Sequence, residues 1–436
     1  MNKDKLIGLE QFGCAKNLID GELMLGILTK NGYNFTLDCD SDDVKTVIIN
    51  TCSFISDAEK ESISAIIDMI NKGKRVILTG CLVQKYKEEL KKLLPEVKNF
   101  IGVSSYDKIL DAVQNDEYYN VSEVVDYNYC EDVQREQITV GSSSYIKISE
   151  GCFYNCGYCV IPSLRGKYKS RKMENIINEA KALAKKGVSE IILIAQDTTS
   201  YGIDLYKKPM LAQLLKELNK IDELNWIRIM YAYPTNFTDE LIDAINSLDK
   251  VVKYIDIPLQ HSNLEVLKRM KRPAFDYEKL INKIRNKIKN VSIRTTFIVG
   301  YPGETDEEFE DLCNFVKKMK FDKVGVFTYS REKNTYAYSL KPQIKQSVKN
   351  KRKKILMEIQ KEISLNVNKC YIGKIIPCII EQIYPNGKIL ARSYKDAPEI
   401  DGVVYINSKD YFSPGEIVQV KIKDVTNYDM YGIIIM

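Results

Sequence analysis

Between residues 141 and 340 one alternation repeats: a short apolar run, then a stretch with the spacing of an amphipathic helix. The strand-like runs are 145–149, 190–195, 226–230, 254–257, 292–299 and 323–328. The helical stretches between and after them are 174–186, 210–220, 239–247, 277–289 and 306–319. Strands joined by helical crossovers run parallel in one sheet. Six such units are fewer than the eight that close a barrel, so the pattern predicts an open (β/α)6 partial TIM barrel with a wide mouth. In such folds the loops at the carboxyl ends of the strands carry the chemistry.

The loop after the first of these strands is Gly151-Cys152-Phe153-Tyr154-Asn155-Cys156-Gly157-Tyr158-Cys159. Soft thiolates hold iron, and three of them can ligate three irons of a 4Fe–4S cube while the fourth iron stays open. A tetrahedral zinc site with a distant fourth ligand is the alternative. The motif resembles that of the radical S-adenosylmethionine enzymes. That resemblance implies an open iron that chelates S-adenosylmethionine and cleaves it to a 5′-deoxyadenosyl radical. A sulfonium cofactor with ribose hydroxyls calls for polar partners, and Glu150, Gln196, Asp197 and Glu304 all stand at predicted strand ends. Helix capping is their competing role, as for Thr305 ahead of Asp306-Glu307-Glu308. Arg165 and Arg171 lie in a basic loop directly after the cysteines, suited to a carboxylate of cofactor or substrate, or simply solvated. His261, the one histidine, excludes a histidine-rich metal site and reads as a hydrogen-bonding neighbour rather than a catalyst.

Residues 1–140 hold a second set of cysteines. Predicted strands at 6–10, 47–50 and 76–79 are followed by Cys14, Cys52 and Cys81, with a helix over 20–29. In a small parallel α/β domain these loops gather on one edge. Three thiols then converge, again with an open position; unrelated buried cysteines are the alternative. Cys39, Cys130, Cys313, Cys370 and Cys378 read as small hydrophobes or bystanders. Residues 112–140, polar and tyrosine-rich, read as a linker. Eleven cysteines in a long chain without an apolar leader fit reduced thiols in a cytoplasm, and no apolar run is long enough to span a membrane. A net charge of +5 is no evidence for nucleic-acid binding by itself.

Beyond residue 341, Lys345, Lys349, Lys351, Arg352, Lys353 and Lys354 crowd a predicted helix that runs to about Asn366. Ile355, Leu356, Ile359 and Ile363 would pack it on the barrel, its basic face in solvent. Short strands then follow at 375–383, 389–392, 403–406 and 417–424, with turns at Pro385-Asn386-Gly387 and Pro414-Gly415. They predict a five-stranded module of oligonucleotide-binding character. From Lys369 onward it carries eight Lys/Arg and eight Asp/Glu, so it lacks the basic excess of a nucleic-acid platform. A neutral module suits a partner that is itself basic, gripped by residues 391–402.

Over nearly its whole length the chain resembles the methylthiotransferases, radical S-adenosylmethionine enzymes with two 4Fe–4S clusters and a C-terminal TRAM domain. The stretches that carry this are Gly13-Cys14-Ala15-Lys16-Asn17-Leu18, Asn50-Thr51-Cys52-Ser53-Phe54-Ile55, Ala195-Gln196-Asp197-Thr198-Thr199-Ser200-Tyr201-Gly202 and Ile257-Pro258-Leu259-Gln260-His261. Residues 391–402, from Ala391 to Gly402, add to them. Ala15 departs from the proline common after the first cysteine, and Gly21 from a common serine; neither removes a ligand. The resemblance implies that Cys152, Cys156 and Cys159 hold the radical-generating cluster and Cys14, Cys52 and Cys81 the auxiliary one, which carries exchangeable sulfide or polysulfide. It implies domains at 1–140, 141–340 (the radical core), 341–368 (a linker helix) and 369–436 (TRAM). The motifs around Cys14 and Cys52 are most similar to the branch that methylthiolates the β-carbon of an aspartate in ribosomal protein S12. That partner would be met free or in the small ribosomal subunit, with flavodoxin or ferredoxin as electron donor and the chain a monomer. Two alternatives stay open: a tRNA adenosine methylthiotransferase, and a non-enzymatic iron–sulfur protein that binds RNA or carries electrons.

Overall fold

Thr46–Thr51 is buried along its full length, because it lies inside a parallel sheet covered on both faces. The computed structural model describes residues 5–53, 56–123, 126–127, 129–139, 141–408 and 410–435. Phe54 and Ile55 of the second-cysteine motif and Asn128 of the 112–140 stretch lie outside them. The chain divides into two compact units. One comprises residues 1–139, 149–155 and 159–171; the other comprises 140–148, 156–158 and 172–436.

In the first unit six strands, β1 (Leu6–Gln11), β2 (Asn34–Thr36), β3 (Thr46–Thr51), β4 (Arg75–Gly80), β5 (Asn99–Ile101) and β6 (Tyr118–Asn120), lie in the order β2-β1-β3-β4-β5-β6. Every pair is parallel. The helices Ala15–Lys30, Ser56–Asn71, Cys81–Leu93 and Ile109–Gln114 make the crossovers. Val47, Ile49, Leu78, Leu82 and Phe100 are in one core cluster of this unit. The order reverses between β1 and β3, the switch point at which such sheets open a crevice beyond their carboxyl ends.

The 112–140 stretch is no slack tether. It supplies β6, and Tyr127, Arg135 and Ile138 bind side chains of the Ala15–Lys30 helix. Arg135 pairs with Glu22, both buried; Ile138 N–H donates to Glu22 Oε1 at 3.1 Å; and Tyr127 O–H donates to Asp20 Oδ1 at 2.7 Å. Its polarity reflects these internal partners. Ser149–Glu150 and Lys169–Ser170 pair antiparallel in the same unit.

The second unit holds six parallel strands in sequential order: Ser143–Lys147, Glu190–Ile194, Trp226–Ile229, Val251–Asp256, Ser292–Val299 and Lys323–Thr328. Among the described residues the first and last do not pair, so the barrel is open. Its core runs from Ile146 through Leu193, Ile227, Ile255 and Ile293 to Val324, with Phe237, Phe297, Phe309 and Phe321 among the aliphatic side chains. The short helix Leu264–Arg269, which the sequence pattern did not suggest, is capped by Asn263, whose Oδ1 accepts from Glu265 and Val266 N–H. Five antiparallel and parallel strands close the C-terminal barrel: Ile375–Ile383, Lys388–Ser393, Val404–Asn407, Met430–Ile434 and Ile417–Val425.

Two expectations need correction. The helix Gln346–Lys369 does not turn all its cations to solvent: its buried stripe is Lys349, Arg352, Leu356, Gln360, Ser364 and Asn368, while Ile355 is exposed. Lys349 Nζ donates to the Tyr329 carbonyl at 2.7 Å, and Arg352 meets Glu304 and Asp306 at 2.7 Å each. Nor do residues 391–402 form an open grip. Arg392 pairs with buried Glu190, Lys323 with Asp396 at 2.6 Å, and Tyr254 O–H donates to Asp401 at 2.6 Å. Arg228 donates to the Tyr394 carbonyl at 3.0 Å. The segment thus plugs the amino-terminal floor of the barrel, where Glu190, Ser292 and Lys323 begin their strands. That face of a barrel serves stability.

Candidate functional site: two cysteine triplets, each with a buried arginine

Cys14, Cys52 and Cys81 follow β1, β3 and β4, which are hydrogen-bonded neighbours in the sheet. The chain turns sharply at each place. Gly13 has φ +91° and leaves room only for hydrogen, since a Cβ there would stand 2.9 Å from Cys52 Sγ. Gly80 has φ +94°, and a Cβ would collide with the Thr51 carbonyl oxygen and stand 2.7 Å from Asn50 Oδ1. The glycines therefore let the cysteine-bearing turns close on one another. Asn17 Nδ2 ties them by donating to the carbonyls of Phe12 at 2.8 Å and Thr51 at 3.2 Å.

Arg165 lies beside this triplet and is 2% exposed. Its guanidinium donates to Asp20 Oδ2 at 2.6 Å, Glu150 Oε2 at 3.2 Å, Asn17 Oδ1 at 3.0 Å and Cys81 Sγ at 3.4 Å. Burial by itself would raise both thiols. For Cys81 burial prevails over Arg165. Cys14 reaches the surface though its thiol is hemmed in by protein; there Lys16 and Arg165 outweigh the packing and hold the thiol below its ordinary range. The arginine that sequence order assigns to the Cys152 loop thus serves the other triplet.

In the loop after Ser143–Lys147, each sulfur is near an N–H donor. Cys152 Sγ accepts from Tyr154 N–H at 3.4 Å and Cys159 Sγ from Ile161 N–H at 3.4 Å. Arg272 Nη1 stands 3.9 Å from Cys156 Sγ. Arg272 is buried, donates to the Pro258 carbonyl at 3.0 Å, lies 3.3 Å from Tyr158 Oη and stacks on Tyr233 at 4.5 Å. Sequence reasoning missed it: it is 113 positions from the motif's third cysteine, and only its cationic neighbourhood at Lys271-Arg272-Pro273 hinted at it.

Among the described residues no group of three His, Cys, Asp or Glu side chains stands as a ready-made metal site. The donor chemistry nevertheless suits iron–sulfur clusters: the six candidates are all thiols, those of the first unit follow adjacent strand ends, and N–H donors stand beside Cys81, Cys152, Cys156 and Cys159. The remaining cysteines do not join them. Burial pushes the Cys39 thiol up to about 12, helped by Glu10, and Cys313 and Cys378 are enclosed in apolar cores.

The other candidates are largely engaged. Glu150 accepts from Gly151 N–H at 3.3 Å as well as from Arg165. Arg171 pairs with Glu131 at 2.6 Å and lies over the Tyr129 ring at 3.5 Å. Asp197 accepts from Thr199 N–H at 2.8 Å and Thr199 Oγ1 at 2.6 Å, and from Ser200; burial still raises its pKa. Gln196, half-buried, follows the same strand. Glu304 accepts from Gly300 and Tyr301 N–H at 2.9 and 3.3 Å and from Arg352; burial lifts it to about 7 against these partners. His261 is fully enclosed, its Nδ1 accepting from Asn263 N–H at 3.0 Å and its Nε2 3.8 Å from Glu304. Burial, then Arg269 and Arg352, push it down to about 3, so it is a neutral imidazole and the contact is not an ion pair.

Three family models match the chain: the radical SAM superfamily over residues 146–316, the uncharacterized protein family UPF0004 over 7–102, and the TRAM domain over 372–435. Among curated proteins, the ribosomal protein uS12 methylthiotransferase RimO of Thermoanaerobacter sp. (strain X514) is 51% identical over 439 residues, covering 98% of this chain and 99% of the relative. The RimO of Clostridioides difficile (strain 630) is 45% identical over 436 residues, 98% of each. Among solved structures, the radical S-adenosylmethionine methyltransferase TsrM from Kitasatospora setae, with tryptophan substrate and a cofactor analogue bound, superposes with a TM-score of 0.55 at 15% identity over 74% of this chain and 72% of that one. That likeness is one of fold.

Proposed function

We propose, for a chain that belongs to the RimO family of radical S-adenosylmethionine methylthiotransferases, that it inserts a methylthio group at the β-carbon of an aspartate in ribosomal protein S12. The observation that carries this is 51% identity to a uS12 methylthiotransferase along 98% of the chain. We further propose that Cys152, Cys156 and Cys159 hold one 4Fe–4S cluster and Cys14, Cys52 and Cys81 a second, the latter with exchangeable sulfide or polysulfide. When bound, these clusters and S-adenosylmethionine supply the hydrogen-abstracting radical, the sulfur and the methyl group that an unactivated C–H bond requires.

The chain's own residues do the positioning. Arg165 locks the turn at Cys81 to the Ala15–Lys30 helix through Asn17 and Asp20. Arg272 fixes the Cys156–Tyr158 segment against the Pro258 carbonyl. Asp197 and Glu304 shape the loops at two strand ends of the second unit, beside Gln196; Glu150, Arg165 and Arg171 shape the first unit. In this reading these six act on the cofactor through the loops they brace. The domains fall at 1–140, 141–340, 341–368 and 369–436. The working place is the cytoplasm, the chain is a monomer, and the electron donor is a flavodoxin or ferredoxin.

The test is anaerobic. Protein reconstituted with iron and sulfide is given S-adenosylmethionine, reductant and either S12 or unmodified tRNA. One S12 aspartate should gain the mass of a methylthio group, and the tRNA nucleosides should be unchanged. The reverse pattern would assign the chain to tRNA. Replacing either cysteine triplet by alanine should remove half of the iron; full retention would refute that cluster.

A further inference from the structure

We propose that the face built from residues 331–354 docks on the phosphate backbone of the ribosomal RNA that surrounds S12; this rests on the S12 reading above. These 24 residues carry nine Lys/Arg and one Asp/Glu, while the whole chain nets only +5. The rest of the chain is therefore slightly acidic, and the basic charge is concentrated on one segment.

Two of the nine cations, Lys349 and Arg352, are buried and used internally, and a third, Arg331, donates to the Tyr338 carbonyl at 3.0 Å while staying exposed. The others stay outside. The buried stripe at 349, 352, 356 and 360 turns Lys351, Lys353 and Lys354 away from the protein, and Lys341 and Lys345 are exposed just ahead of the helix. Most nearby acids are engaged by other cations, although exposed Asp306 also feels Lys351. Glu304 and Asp306 are held by Arg352, and Glu308 by Arg269 at 2.5 Å. Glu332, the segment's one acid, accepts from Ser330 O–H at 2.6 Å.

Aromatic rings interleave with the charge. Tyr336 and Tyr338 are 46% and 36% exposed, with Lys271 over the first ring at 3.8 Å and the Arg331 guanidinium over the second at 4.4 Å. Cations alternating with exposed rings suit a polyanion that also offers flat bases. The face is anchored rather than loose. Ala337 N–H donates to the Gly157 carbonyl at 2.7 Å, and Gly303 N–H to the Pro342 carbonyl at 3.0 Å. Gly157 lies between Cys156 and Cys159, so the segment borders the cysteine motif within its own unit. Phosphates are attracted to such a face.

The experiment compares the wild type with two charge-reversed variants, K351E/K353E/K354E and K341E/K345E. Small ribosomal subunits carrying unmodified S12, free S12 and bulk tRNA are the ligands. Wild type should bind subunits with a steep salt dependence. Each phosphate that is no longer neutralised should lower the log–log salt slope by about 0.7–0.9, so the triple variant should reduce it by about two to three. Modification of S12 within subunits should fall with binding, while modification of free S12 stays at the wild-type rate. Unchanged subunit affinity and slope in both variants would overturn the docking proposal. So would tRNA competing as well as subunits, or a parallel loss on free S12, which would place the cations in protein recognition. Failure of the wild type to modify S12 in either form would refute the substrate reading instead.

Discussion

Arg165→Met removes the guanidinium that two buried carboxylates share. Asp20 and Glu150 are 4% and 1% exposed, and Arg165 Nη1 reaches both, at 2.6 and 3.2 Å. Breaking a buried pair from one side costs about 3–5 kcal/mol, because the charge left behind stays desolvated. Here two are left, and Asn17 and Cys81 also lose the guanidinium donor. The expected loss is therefore at the top of that range, a large share of the about 5–15 kcal/mol that holds a domain. Amide exchange on β3 and β4 should accelerate about a thousand- to several-thousand-fold, at a factor of ten for each ~1.4 kcal/mol. Strands Glu190–Ile194 and Ser292–Val299 of the other unit are the internal reference. Adding Asp20→Asn and Glu150→Gln should restore much of the protection, since the orphaned charges are then gone. Arg165→Lys should fall between, keeping the charge without the fork. Acceleration below tenfold, or no recovery in the triple variant, would refute the claim that charge compensation holds this unit's edge together.

Gly80→Ala should destabilise the first unit and lower iron loading at Cys14, Cys52 and Cys81, since its Cβ meets the Thr51 carbonyl at a φ of +94°; normal iron content would count against the turn argument. Glu304 and His261 should give opposite pH slopes. Glu304 has a folded value of about 7 against 4.5, so the folded state holds the extra proton and this group's contribution falls as pH rises from 4.5 to 7; it offsets His261 between 4.5 and 6.5, and Glu304→Gln should leave stability rising with pH there in urea titrations. His261, at about 3 against 6.5, makes stability fall as pH drops from 6.5 towards 3, and His261→Gln should flatten that limb. Glu190 is held down to about 2: burial opposes the charge, and Arg392 and Arg228 outweigh it, so its contribution is present above pH 4.5 and fades towards 2. Arg392→Met should cost about 3–5 kcal/mol at neutral pH and make the acid limb shallower; an unchanged limb would contradict the pairing.

The periodicities read well because they are local. The barrel strands 292–299 and 323–328 and the helices 239–247 and 306–319 have the bounds that apolar spacing and capping residues suggest. The strand ends likewise put Cys14, Cys52 and Cys81 just past three neighbouring strands of one sheet. What spacing cannot carry is the destination of a long side chain. Arg165 follows the Cys152 motif in sequence yet reaches Asp20, 145 positions earlier. Arg135 reaches Glu22 in the same way, which turns an apparent linker into packed structure. Arg272 beside Cys156 is a third case, and all three are buried cations whose partners only the fold brings near.

Net charge misleads for a related reason, because it adds groups that do different things. The C-terminal module is neutral by count, and that neutrality pointed to residues 391–402 as a grip for a basic protein. Arg392, Lys395, Asp396 and Asp401 are in fact side chains of the barrel floor, paired with Glu190, Asp322, Lys323 and Arg294. Two are cations and two are anions, so removing them from the count leaves the module's remaining charges balanced as well. Tyr405 and Tyr431 stack on each other and stand out on its surface. The module's balanced count therefore offers phosphates no net attraction. The segment that does lies between the last barrel strand and this module, where nine cations are concentrated and seven remain outside. If a polyanion takes part in substrate recognition, its attraction acts at residues 331–354, next to Gly157 and the cysteine motif, and the C-terminal barrel contributes through shape and through the floor it closes.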